Sequence, residues 1–454
     1  MIDRQNRECR TQNTEHRTQT KKRKGLTKKV PALTSVFWAL SIASAFAGEA
    51  SKVDSGDTAW ILVSAALVML MTPGLALFYG GMVRRKNVLG TIMHSFVAIA
   101  IISLQWIFIG YSLSFGPDIG GFIGGLDWAG LKGVGLEPSA YAPTVPHLAF
   151  MIYQAMFAVI TPALISGAFA ERMKFSAYVI FIIIWTTIVY NPVCHWIWGG
   201  GWMGDLGVLD FAGGLVVHVT SGISALAAAL YIGKRKGYLK EAMPPHNLPM
   251  TVLGAGLLWF GWFGFNAGSA LSSGELSTMA FVTTHTGAVA ATVTWMLIEW
   301  VHRGKPTMFG VATGAIAGLA TITPAAGFVG PMSALIIGIA AGSICYIALN
   351  AKGRFGYDDS LDAFGVHGVG GTIGTIGAGL FASAAINGVN GLFFGNSRQL
   401  LIQLMAIAVV AVYSFVLSLV ILKAIDAVVG VRIDKEGEIE GIDINQHGEE
   451  GYFL

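Results

Sequence analysis

The sequence predicts an all-α integral membrane protein with eleven transmembrane helices, and three observations predict it. The chain is 54% hydrophobic and 12% charged, whereas a soluble globular chain carries about 25% charged residues. Apolar runs of about 20 residues, the length that crosses a hydrocarbon core of about 30 Å, recur from residue 58 to residue 425. The polar breaks between them are short.

Dividing the chain at charges and at Gly, Pro and Asn clusters gives the spans in order. The first, 58–82, stops at Arg84, Arg85 and Lys86, and the second, 88–115, stops at Gly116-Pro117. The third, 148–170, ends at Glu171-Arg172, and the fourth, 175–190, ends at Asn191-Pro192. The fifth, 211–232, opens after Asp210, the sixth, 248–266, follows His246-Asn247, and the seventh, 277–301, closes at a basic loop. The eighth to eleventh are 307–324, 329–350, 361–382 and 398–425. Residues 426–454 are polar and acidic and form a tail, which composition alone reads as a solvated end.

Loops on one side carry Arg84, Arg85, Lys86, Arg172, Lys174, Lys234, Arg235, Lys236, Lys240, Arg303, Lys305, Lys352 and Arg354, against Lys132 on the other. The positive-inside rule makes the first side cytoplasmic. An odd number of spans then puts the mature N-terminus outside and the tail inside. Residues 1–47 read as a cleaved signal peptide, with a basic KKRKGLTKKV stretch, an apolar segment and a small-residue site ending at Ala47. The transmembrane domain is 48–425 and the location the cell (inner) membrane. The net charge of +3 resides in loops and the N-terminus, so no nucleic-acid partner is expected. Cys9, Cys194 and Cys345 have no paired or ligand-like spacing, which predicts no disulfide and no cysteine metal site.

The two halves show internal symmetry. DFAGGLVVH places Asp210 and His218 at the head of span five, and DAFGVHGVGG places Asp362 and His367 at the head of span ten. Five spans separate the copies, so they run in opposite directions, as inverted repeats do, and such repeats put a site at their interface near the midplane. Ionisable groups within a bilayer usually face a cavity or a partner, so the two histidines are candidate partners. Two neutral imidazoles in contact share a proton and line a path without fixed charge. A straight-helix reading leaves the rings too far apart, and they meet only if span ten starts deeper, through a dip over residues 352–361. The remaining histidines are taken as structural.

A second cluster lies outside: Trp198 in NPVCHWIWGGGW, Phe265 and Ser269 in GWFGFNAGSA, and Phe157 in span three. On composition Trp198 belongs to the interfacial belt. Aromatic faces with one hydroxyl also make a cation site without a countercharge.

With these residues collected, the chain resembles the ammonium transporter family (Amt, methylammonium permease and Rhesus group), on the Amt branch. GLALFYGGMVRRKN, GAFAERMKFSAYVIF, WIWGGGW, DFAGGLVVH, PHNLPM, GWFGFNAGSA, DAFGVHGVGG and GVRIDKEGEIEGIDINQHGE carry the resemblance from about residue 57 onward. It implies a trimer with one pore per protomer and two five-helix halves of inverted topology plus a final helix. It implies His218 and His367 as the twin pore histidines, and Trp198, Phe157 and Ser269 as the outer recruitment site. Phe157 and Phe265 would be the stacked gate, and Asp210 would support the site and deprotonation. The implied activity is selective ammonium transport, with methylammonium as an analogue, and no enzymatic step, cofactor or metal. The tail would fold on the cytoplasmic face, near Asp359 and Arg354, and a PII-type signalling protein would be its partner. Two other readings stay open: an ammonium sensor that transports little, and a membrane haem or metal protein ligated by the paired histidines.

Overall fold

The computed structural model describes residues 53–452; the expected signal peptide lies outside them. Among the described residues nine helices are long and apolar enough to cross a membrane. They are α1 (Ser55–Met82), α2 (Arg85–Phe115), α3 (His147–Phe169), α4 (Phe175–Leu206), α5 (Gly214–Ile232), α6 (Leu248–Ala270), α7 (Glu275–Arg303), α9 (Pro331–Phe355) and α11 (Ser397–Val429). Two shorter helices occupy the other predicted segments. These are α8 (Met308–Ile322) and α10, a π-turn over Phe364–Gly368 that runs on into Val369–Phe381.

α3, α5 and α8 are buried nearly all round and form the centre. α11 is the most exposed, and its apolar outward face suits lipid. Pairs of small residues set the closest approaches. A Cβ on Gly254 of α6 would lie 2.3 Å from the Phe78 backbone of α1, so these helices pack backbone to backbone.

α4 runs past its predicted end. Pro192, taken as a stop, sits in the first turn of a helical segment that restarts after a π-turn over Thr186–Tyr190. The π-turn removes the need for the hydrogen bond that proline cannot donate. Cys194 and His195 are therefore helical and buried, not in a loop. The helix breaks only at residues 199–201, in the glycine run.

The tail has structure. Ile433 N–H donates to the Arg172 carbonyl at 3.1 Å, Lys174 N–H donates to the Val431 carbonyl at 2.9 Å, and a short helix α12 spans Lys435–Glu440. Asp443 accepts from the N–H groups of Leu89 and Gly90 at the start of α2. The expected contact residues are different: Asp359 is buried in the loop that precedes α10 and Arg354 is exposed.

Candidate functional site

Both histidines stand in π-turns that begin within the protein, His218 in Gly214–Val219 and His367 in Phe364–Gly368. Each turn follows a loop whose core is buried (Asp210 and Ala212; Asp358, Asp359 and Ala363). Irregular backbone is tolerated at membrane depth when protein shields it. A deep start is thus a property of both helices, not of α10 alone, and it brings the rings together. Their Nδ1 atoms are 3.2 Å apart, with centroids 5.2 Å apart and planes inclined by 18°. Metal–imidazole bonds of about 2 Å would put trans ligand nitrogens about 4 Å apart, so this direct contact does not suit axial ligation of a haem iron.

The acids ahead of the two π-turns correct the sequence pairing. The Asp210 carboxylate accepts four backbone N–H groups, from Gly213, Gly214, Leu215 and Val216, at 2.5–3.0 Å. Asp359 does the same for α10, accepting from Ala363 and Phe364 at 3.1 and 2.8 Å. Each capping acid lies eight residues before its histidine, so Asp359, not Asp362, is the counterpart of Asp210. Asp362 instead holds Lys352.

The rings border a narrow lumen of about 10 Å³, lined by Ile160, Leu164, Trp262, Phe265, Ile316 and Val366 among others. A volume of that order holds about one water-sized molecule. Trp262 stacks over His218 at 5.6 Å and donates its indole N–H to Thr323 at 2.9 Å. Above the lumen, Phe157 and Phe265 close the path with centroids 4.3 Å apart. A wider vestibule of about 280 Å³ follows, lined by Phe115, Tyr141, Phe150, Gln154, Trp198 and Ser269 among others. Trp198 meets Phe157 edge-on at 5.9 Å and donates its N–H to the Asp210 carbonyl at 2.8 Å. Ser269 Oγ donates to the Phe265 carbonyl at 2.9 Å and lies 3.1 Å from the Tyr153 hydroxyl. Asp210 therefore holds the vestibule wall with its carbonyl and the histidine turn with its carboxylate.

Every residue expected from sequence is in this column: Ser269 and Trp198 at the vestibule, Phe157 and Phe265 beneath, His218 and His367 in the lumen, and Asp210 behind them. Sequence reasoning missed Tyr153, Gln154 and Trp262. Tyr153 precedes Phe157 by four residues and Trp262 precedes Phe265 by three, the spacing of one helix face. Extending each known position by one turn finds them.

The sequence profile of the Ammonium Transporter Family matches residues 59–452. The chain belongs to that family. It is 53% identical over 400 residues to the ammonium transporter of Bacillus subtilis (strain 168), covering 87% of this chain and 98% of that protein. It is 49% identical over 400 residues to ammonium transporter Amt1 of Archaeoglobus fulgidus, covering 88% of this chain and 100% of that protein. Among solved structures, Candida albicans Mep2 is similar at a TM-score of 0.81 and 39% identity, covering 85% of this chain and 88% of that one. A structure described as a sensor Amt protein is similar at a TM-score of 0.80 and 30% identity, covering 86% and 98%. The family is one of membrane transporters rather than enzymes.

Proposed function

We propose that this member of the Ammonium Transporter Family recruits ammonium in the Trp198–Ser269 vestibule, strips its proton, and passes ammonia between Phe157 and Phe265 into the histidine lumen. The observation that carries the proposal is the contact of the two imidazoles across a largely apolar cavity with space for about one small molecule. Ammonium and potassium share charge and similar size, so attraction alone does not separate them. Desolvation disfavours charge, and only ammonium can shed its charge as a proton. Aromatic faces and the Ser269 oxygen attract a cation without holding it too tightly. His218 and His367 then give one donor and one acceptor along the path: the proton leaving ammonium goes to the unpartnered Nε2 of His218, the His218 Nδ1 proton passes to His367 Nδ1, and the proton released from His367 Nε2 rejoins ammonia beyond the lumen. Asp210 is the support of this arrangement, since its carboxylate is occupied by backbone.

The same proposal covers the larger frame: eleven crossings, two five-helix halves of inverted topology and a closing helix, and a homotrimer with one pore per protomer. It places the protein in the cell membrane, with the mature N-terminus outside after signal cleavage and the tail in the cytoplasm. A PII-type protein docks at the tail side; pull-down by the intact chain and loss of binding on truncation at Val428 is the expected result. Transport is favoured over sensing because the more similar relatives are named transporters.

The deciding experiment is methylammonium uptake into proteoliposomes, with current recorded under an ammonium gradient. The parent should take up substrate selectively. His218→Ala and His367→Ala should each abolish selective uptake or admit potassium, and potassium-blind, parent-like uptake in both would refute the role. Ser269→Ala should weaken uptake at low concentration while sparing the fold.

A further inference from the structure

Among the described residues that line the lumen, Asp362 is the one carboxylate, and it lies at the end nearer the tail. Its backbone is in the left-handed region, with φ of 62°. The matching position in the other half, three residues after the capping acid, is Gly213, with φ of 115°. Glycine adopts such a conformation without strain, so the fold does not call for an acid at 362.

Lys352, near the end of α9, reaches this acid. Its Nζ donates to Asp362 Oδ1 at 2.5 Å and to the Asp359 carbonyl at 2.9 Å. The lysine head is itself an alkylammonium. One of the two oxygens that it occupies belongs to a carboxylate, which attracts any monovalent cation. Left unpaired, a carboxylate at the mouth of an apolar passage would hold such a cation, potassium included. Paired, it presents no net charge to the lumen.

We propose that Lys352 is a specificity-determining residue of the pore, a tethered countercharge that keeps Asp362 from holding potassium at the tail-side mouth. The inference rests on the transport reading above and adds to it the reason that the exit does not trap ions. Other cations arriving from the tail side must displace a covalently anchored competitor of the same charge.

The test is methylammonium uptake into proteoliposomes with potassium chloride or choline chloride on the tail side. The parent should behave alike in both salts. Lys352→Met should lose uptake by about tenfold in potassium relative to choline, and adding Asp362→Gly should remove that sensitivity. A folded Lys352→Met protein equally active, or equally silent, in the two salts overturns the proposal. Should Lys352→Met fail to fold, Lys352→Gln keeps a hydrogen-bond donor without the charge and should show the same loss of about tenfold in potassium relative to choline. Equal uptake of Lys352→Gln in the two salts also overturns the proposal. A parent that passes no methylammonium in either salt removes the transport reading itself, and this inference with it.

Discussion

The carboxylate of Asp210 gathers four N–H groups that no α-helical bond satisfies, because the start of a helix leaves its first donors free. Asp210→Ala strands all four in a buried site and should destabilise the protein by about 3–5 kcal/mol. Asp210→Asn keeps one oxygen of two and should lose about half as much. A thermal unfolding series in detergent checks the ranking, and an asparagine variant as unstable as alanine would contradict it. The histidines and the phenylalanines are legible as residues, each a chemically distinctive side chain in a small-residue setting, whereas Trp198 reads on composition as an interfacial-belt residue and takes its site role from the family resemblance. The partner of Asp210 is not legible in this way. Proximity to His367 favoured Asp362, and only the equal eight-residue spacing in the sequence, or the caps in the fold, point to Asp359.

Each histidine is followed four residues later by a glycine, Gly222 and Gly371, which lies one turn on along the same helix face. A Cβ at Gly222 would lie 2.0 Å from the Gly368 backbone nitrogen, and one at Gly371 would lie 2.7 Å from the Gly214 carbonyl oxygen. α5 and α10 thus cross with no side chain between them, which seats the two rings within reach of each other. Backbone atoms cannot swing aside, so Gly222→Ala should destabilise by about 3 kcal/mol, at the upper end of overpacking. Gel filtration should show little folded Gly222→Ala protein; a normal yield with parent-like thermal stability would exclude this crossing. Glycine as packing residue is readable from composition and spacing. The π-turns are not, because these spans are apolar all round and have no polar face whose register an inserted residue would shift, and Pro192 for the same reason reads as an ending.

At the scale of the whole molecule, the tail side is held by a buried ionic cluster. Glu171 joins Arg84 at 2.8 Å and Arg235 at 3.3 Å, and Arg235 continues to Asp358 at 2.9 Å. Burial pushes the Glu171 carboxyl up, but Arg235 and Arg84 outweigh it and hold it below its ordinary value of 4.5. A carboxyl lowered on folding stabilises the protein above the unfolded value and loses that contribution as pH falls through the folded one. The Glu171 contribution should therefore be constant near neutrality and decline only below about pH 4.5. Glu171→Gln should cost about 3 kcal/mol near pH 7 and flatten the acid limb of the stability profile. An unaltered acid limb in Glu171→Gln would remove Glu171 as its source. Charge counts in the loops indicate that this face is basic, but not that two acids from distant segments meet two arginines there, since ion pairs across the chain have no local pattern.

The lumen and the vestibule differ in volume by more than an order of magnitude, about 10 against about 280 Å³. Many molecules crowd the porch, but the corridor takes a single guest. Travellers cannot then shove one another forward, as queued ions do in a multi-ion filter. Opposing isotope fluxes should stand in simple proportion to the driving gradient, with no exponent above one.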